Sequence, residues 1–311
     1  MTFVETLIGG YIICFAIGCI FYGITIAQAY AYFSSCERDA AWMKWLAAAV
    51  IFLETVHSAV YLRQMYVYSV LALSNPLNLF VIDWSVPTSI ILEIVLEVMI
   101  YGFYIHRMWT FSKNIPLAIG TVLVFLAQTG TLLFCTAKIT TAKTWINLEN
   151  PVTKSAVLAS LSFIIALTIT ISVVMVYYLR RNRSMVQRTR GVLSWLILYY
   201  VNSGVILATI AIVILITYLV APNSLLYGGF IQAFGKLVAN SFFGLLNSRQ
   251  ILRDKMAKPV VIGTNVFSTS LGSFALRMEN SSSSAGRESV SRQTKLSKPV
   301  VMKDSTSRED V

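Results

Sequence analysis

Apolar stretches long enough to cross a bilayer recur seven times between Leu7 and Asn247, and that repetition decides what the chain can fold into. A hydrocarbon core of roughly 30 Å takes about 20 helical residues to cross, and the absence of water there obliges backbone N–H and C=O groups to bond within the segment. The pattern predicts an all-α, polytopic membrane protein, a seven-transmembrane-helix bundle. The expected spans are Leu7 to Phe33, Trp42 to Tyr68, Val86 to Trp109, Ile115 to Thr136, Ser155 to Leu179, Val192 to Leu219 and Leu225 to Asn247. Breakers separate them, as in Ser74-Asn75-Pro76, Ser112-Lys113-Asn114, Asn150-Pro151 and Ala221-Pro222-Asn223-Ser224. Trp42, Trp45, Trp84, Trp109, Tyr177, Tyr178 and Tyr227 gather near span ends, where amphipathic rings suit an interface.

Composition agrees with this reading. Of 311 residues, 56% are hydrophobic and only 13% charged, and the mean hydropathy of +0.69 exceeds that of ordinary soluble domains. The net charge of +11 raises nucleic-acid binding, but the cations crowd into loops and tail, where they report orientation, so no nucleic-acid partner is expected. With the N-terminus outside or lumenal, twenty Lys and Arg lie on the inner side against three on the outer, Lys138, Lys143 and Lys154. The bias persists as nine against three without the tail, and it predicts a cytosolic C-terminus in a multi-pass protein.

Two parts are expected: a transmembrane domain over residues 1–249, and a Ser/Lys/Arg-rich cytosolic tail over 250–311, disordered for want of hydrophobic periodicity. Met1 to Glu5 has no basic n-region, so the first span reads as a retained helix. Cys14, Cys19, Cys36 and Cys135 form no paired framework, and Cys14 and Cys19 read as small packing residues.

Ionisable groups inside the spans are the sharpest local feature, because a charge in hydrocarbon costs several kcal/mol unless paired or hydrated. Glu54 and His57 share a face of the second span, Glu93 and Glu97 a face of the third, Lys236 and Asn240 a face of the seventh, and Asn202 lies in the sixth. At 1.5 Å per residue, Glu54, Glu97 and Lys236 fall near one depth. That level predicts an intramembrane polar cluster in which Lys236 offsets a carboxylate, with His57, Asn202 and Asn240 as hydrogen-bond partners. Glu93 and Glu97 should not both ionise there, which makes one a candidate proton sensor or relay. The plain alternative is a buried network that only fixes helix packing.

A lone lysine at the middle of the seventh span also raises retinal Schiff-base chemistry with Glu97 as counter-ion, although the third span lacks the paired-aspartate pattern of microbial rhodopsins. No catalytic constellation, zinc set or phosphate loop is present in the sequence, so neither an enzyme nor a cofactor or metal is expected. Arg63 and the His106-Arg107 pair sit at span ends, where long cations reach head groups. His106, Arg107, Arg180, Arg181, Arg183, Arg188 and Arg190 form a candidate cytosolic coupling surface.

Four stretches carry a family resemblance: Asp39 to His57, Phe103 to Trp109, Arg188-Thr189 with Tyr199 to Gly204, and Lys236 to Arg249. The chain resembles the seven-span membrane proteins of mushroom-forming fungi, whose domain has no assigned function. It departs from them at Val238, where tyrosine is frequent, and in a fifth span without an acidic residue. The resemblance implies topology and fungal origin, and no substrate. Short outer loops, a basic inner loop and a long tail predict a receptor-like or sensory protein, contacting membrane lipid, a small-molecule ligand and a cytosolic protein partner. A proton-coupled transporter and a non-signalling scaffold are the rival expectations.

Overall fold

The computed structural model describes residues 3–37, 39–71, 75–145, 150–182, 190–221 and 226–257. Seven helices are long and apolar enough to cross a membrane. They are α1 (Phe3–Phe33), α2 (Ala41–Tyr66), α3 (Ser85–Ser112), α4 (Ile115–Ala142), α5 (Pro151–Asn182), α6 (Arg190–Val220) and α7 (Leu226–Ala257). The chain is a multi-pass membrane protein whose described residues are helical but for loops and an isolated bridge between Val81 and Thr144.

The breakers act as their chemistry dictates. Lys113 ends α3 in the left-handed region at φ 50°, and Asn114 then caps α4 by accepting from the Leu117 N–H, with Pro116 in the first turn where its missing N–H costs nothing. Asn150 likewise accepts from the Val152 N–H as Pro151 opens α5. α2 ends in a π-helical turn, Val67–Leu71, and a 3₁₀ turn follows at Pro76–Phe80.

Consecutive helices pack side by side, and α7 closes the ring against α1. α3 runs through the middle, touching α2, α4, α5 and α7. Burial follows: 67% of the α7 span and 56% of the α3 span are enclosed, against 22% for α1. These two enclosed helices carry Glu93, Glu97 and Lys236, three of the five ionisable residues of the expected cluster, as suits groups whose alternative surroundings are lipid. Trp42, Trp45, Trp84, Trp109 and Tyr177 are exposed near helix ends, and Tyr227 is instead turned inward.

Several boundaries move. α4 continues past Thr136 to Ala142 and α5 begins at Pro151, before Ser155, so Lys138 and Lys154 lie in helices, and α7 continues past Asn247 to Ala257, so residues 250–257 are helical. The expected disorder at 258–311 lies outside the described residues. Cys19 is exposed on the helix surface and not packed, whereas Cys14 and Cys135 are buried.

Candidate functional site

The sequence pattern that stacks Glu54, His57, Tyr61 and Gln64 on one stripe of α2 turns all four inward. α3 answers with Ser89, Glu93 and Glu97, and α7 with Gln232 and Lys236. Lys236 Nζ lies 2.9 Å from Glu54 Oε1, with both side chains almost wholly buried. The Glu54 contact is off the hydrogen-bond direction, so charge holds it. Directed bonds come from the neighbours, since the ammonium donates to Ser58 Oγ at 2.8 Å and sits 3.0 Å from His57 Nδ1. An ammonium has no acceptor, so Nδ1 must accept and the ring proton falls on Nε2. Nε2 faces Glu93 Oε2 at 3.5 Å. The Glu93 carboxyl occupies the notch left by Gly235, where any Cβ would overlap it. A polar line thus runs from Glu54 through Lys236 and His57 to Glu93, joining α2, α3 and α7.

Glu93 opens onto a cavity of about 180 Å³ in the half of the bundle nearest the N-terminus. Its polar lining includes Glu93, Glu97, Gln64, Gln128, Gln232 and Ser160. Gln128 Nε2 donates to Glu97 Oε2 at 2.9 Å. Gln232 donates to Ser89 Oγ, whose one proton goes to Val86 O at 2.8 Å, with Gln64 Oε1 beside it at 3.4 Å. The rest is apolar or aromatic, with Tyr11, Tyr68, Tyr227, Trp145, Ile90 and Ile164 among the walls. Across its mouth the Tyr68 hydroxyl donates to Val81 O and accepts from the Asp83 N–H, while Ile82 N–H bonds to Lys143 O. Asp83 pairs with Arg63 at 3.3 Å, and Arg63 stacks over Trp84. Burial pushes the Asp83 carboxyl up, but Ser85 and Arg63 more than offset this and hold it below its ordinary value.

Away from the N-terminal half, rings close the bundle. Phe103 meets Phe242 edge-on at 5.2 Å, and Phe242 meets Phe243 at 5.3 Å, all three buried. Tyr101 and Thr168 hydroxyls lie 3.3 Å apart, a contact between α3 and α5, and Ser172 packs against Gly204.

Of the expected cluster, Glu54, His57, Glu93 and Lys236 converge as a connected set, with Glu97 one turn from Glu93 on the same cavity wall. Three expectations are corrected. Asn202 is exposed and outside the cluster, because the buried stripe of α6 runs through Tyr200, Gly204, Leu207 and Ala211, and two residues of offset place Asn202 on the opposite face. Asn240 does not meet the ammonium, and its amide donates to the Phe21 and Lys236 carbonyls. Glu97 is not the partner of Lys236: Glu54 is, and Lys236 does not line the cavity, which removes the geometry a Schiff base with a Glu97 counter-ion would need.

On the opposite end, His106 is exposed and packs on Trp42 and Trp109, and Arg180 and Arg181 are exposed. Arg107 is corrected: it is buried, with its guanidinium over the Phe111 and Tyr200 rings, because α3 is enclosed almost to its end. Arg183, Arg188 and the Arg190 side chain lie outside the described residues. Sequence reasoning passed over Gln64, Gln128, Gln232, Ser58 and Ser89. Ser58, Gln64 and Gln232 stand at helical spacing from Glu54, His57 or Lys236, and Ser89 from Glu93, so these four were readable, whereas Gln128 is on α4, which carries none of those residues. Among the described residues no three of His, Cys, Asp and Glu converge to hold a metal ion.

Residues 164–251 match a family of unknown function (DUF6534). The match covers less than a third of the chain, from the middle of α5 into α7, and it includes Tyr199 to Gly204 and Lys236 to Arg249. The other resembling stretches, at 39–57 and 103–109, lie outside it. No curated protein and no solved structure matches the chain.

Proposed function

We propose that this membrane protein is a receptor-like sensor whose cavity takes a small molecule and whose buried polar line passes the event to the far ends of the helices. One observation supports this above the others: Glu93 faces both the cavity and His57. A ligand that engages Glu93 competes with His57 Nε2 for the same carboxyl. Loss of that contact alters the balance at Lys236 and Glu54, and so the seating of α3 against α2 and α7, an element that two arrangements of different energy can share. In this reading the N-terminal side is outer or lumenal and the C-terminus cytosolic, as the cation bias supports. A cytosolic protein reads the change at the exposed inner surface around His106, Arg180 and Arg181, and the chain itself performs no covalent chemistry. Fungal origin rests on the family resemblance alone.

The packed rings beyond the cavity favour binding without passage. In proteoliposomes the expected outcome is no solute or proton flux, while Glu93→Gln changes the accessibility of a cysteine placed at Ser112, on the far side of the bundle. Flux abolished by Glu97→Gln would make the protein a carrier. Unaltered accessibility without flux would leave a scaffold.

A further inference from the structure

We infer that the occupant of the cavity is a compact organic cation, an ammonium on a small apolar or aromatic body. This rests on the receptor reading and names its ligand class.

Charge comes first. Glu93 and Glu97 both face the cavity, one turn apart on α3, and among the described residues no Lys or Arg lines it. The nearest ammonium, on Lys236, stands behind the wall and is engaged by Glu54, Ser58 and His57. The site therefore has fixed acids without a fixed cation of its own, and a ligand can supply one.

Hydrogen bonding points the same way. Glu93 Oε2 and Gln232 Oε1 are enclosed in residues more than nine-tenths buried, and among the described residues neither accepts a hydrogen bond in bonding geometry, His57 Nε2 standing 3.5 Å from Glu93 Oε2. Both are acceptors. Gln232 has already committed its amide N–H to Ser89, so the missing group must donate. An ammonium donates in several directions and carries the charge that Glu93 lacks, whereas an alcohol supplies one proton and no charge, and a carboxylate supplies neither.

Shape sets the body. The space of about 180 Å³ is small for a ligand site and suits a compact, single-ring molecule better than a lipid chain with its head group. Tyr11, Tyr68, Trp145 and Tyr227 give it aromatic walls, which suit both an apolar ring and the flank of a cation. The ammonium is assigned to the Glu93 and Gln232 end. Glu97, held by Gln128, contributes charge at longer range.

The test uses the full chain in lipid nanodiscs with three probes of one size and shape: 2-phenylethylamine, 2-phenylethanol and phenylacetate. Binding is measured by calorimetry and by saturation-transfer NMR. The amine should bind at least about tenfold tighter than the alcohol, as a charge-assisted bond to a buried acid requires, and phenylacetate should not bind. Glu93→Gln should bring amine and alcohol within about twofold of each other, by loss of that same bond. Gln232→Leu, which keeps the acid and removes one acceptor, should weaken the amine by a smaller factor. A melting curve for each variant establishes that it is folded. Ile164→Trp, which fills the cavity, should abolish binding of amine and alcohol alike.

If amine and alcohol bind equally and both are lost in Ile164→Trp, the cation inference fails and the cavity reading stands. Amine uptake that neither Glu93→Gln nor Ile164→Trp affects is partition into lipid, and it overturns the inference. Absence of binding by every probe overturns the inference and the receptor reading together.

Discussion

Lys236 keeps its ammonium where neither water nor head groups reach it, and its stability there depends on one carboxylate. Two buried charges attract strongly in a low-dielectric interior but were both costly to desolvate, so the pair as a whole is worth little more than two well-packed apolar residues. Removing one partner is different, because the other charge is then left uncompensated. Lys236→Met is therefore expected to lower stability by about 3 kcal/mol, and Glu54→Leu combined with Lys236→Met to recover most of that loss. Unfolding titrations of the reconstituted protein would measure both, and a double variant no better than the single one would show that the pair does not set the cost. The sequence spells out which charges enter the membrane, and the helical rise places them at one depth. It does not give the rotation of each helix about its own axis. That rotation makes Glu54 and not Glu97 the partner of Lys236, and turns Asn202 outward.

Between elements, the seam of α1 and α7 has a register of its own. Asn240 donates to Phe21 O at 2.9 Å and Asn247 to Gln28 O at 2.8 Å, so both asparagines and both carbonyls are seven residues apart on parallel helices. Small residues permit the approach: a side chain at Gly229 would press on Cys14 and Tyr11, and one at Gly10 on Leu226. Interhelical bonds of this kind contribute about 0.6 to 1.7 kcal/mol each in a membrane. Asn240→Leu and Asn247→Leu should each cost an amount in that range. Seven residues of helix separate the sites by about 10 Å, so the two costs should add. A double variant that lost far more than the two costs combined would mean that the seam opens as one unit. At this scale the apolar runs made all seven helices legible, and the breakers located most of their ends. The extension of α4 to Ala142 was hidden because Lys138 looks like a loop residue by charge, while its position on the helix lets the ammonium sit over the Phe134 ring at 5.4 Å. The seven-residue interval between Asn240 and Asn247 was readable as a helix seam, but each asparagine alone reads equally well as a partner for Lys236.

For the whole molecule, orientation decides which compartment the cavity serves. Seven crossings put the two ends of the helical bundle on opposite sides, and the proposed orientation takes its sides from the excess of twenty inner cations over three outer ones in the sequence. The cavity lies toward the N-terminal side, with Tyr68, Trp145 and Tyr227 among its walls, so in the proposed orientation it is an outward or lumenal site. Lys154 is exposed near that side and Lys113 near the other. In a background with the four native cysteines replaced, Lys113→Cys should react with a membrane-impermeant maleimide applied from the cytosol, and Lys154→Cys should be protected. The reverse pattern would leave the fold and the acid-lined cavity intact but turn the mouth toward the cytosol. The protein would then respond to a cytosolic cation, and the surface around Arg180 and Arg181 would meet the outer medium, where no cytosolic partner could reach it. Labelling from one side of the membrane therefore tests the direction of signalling independently of what the cavity binds.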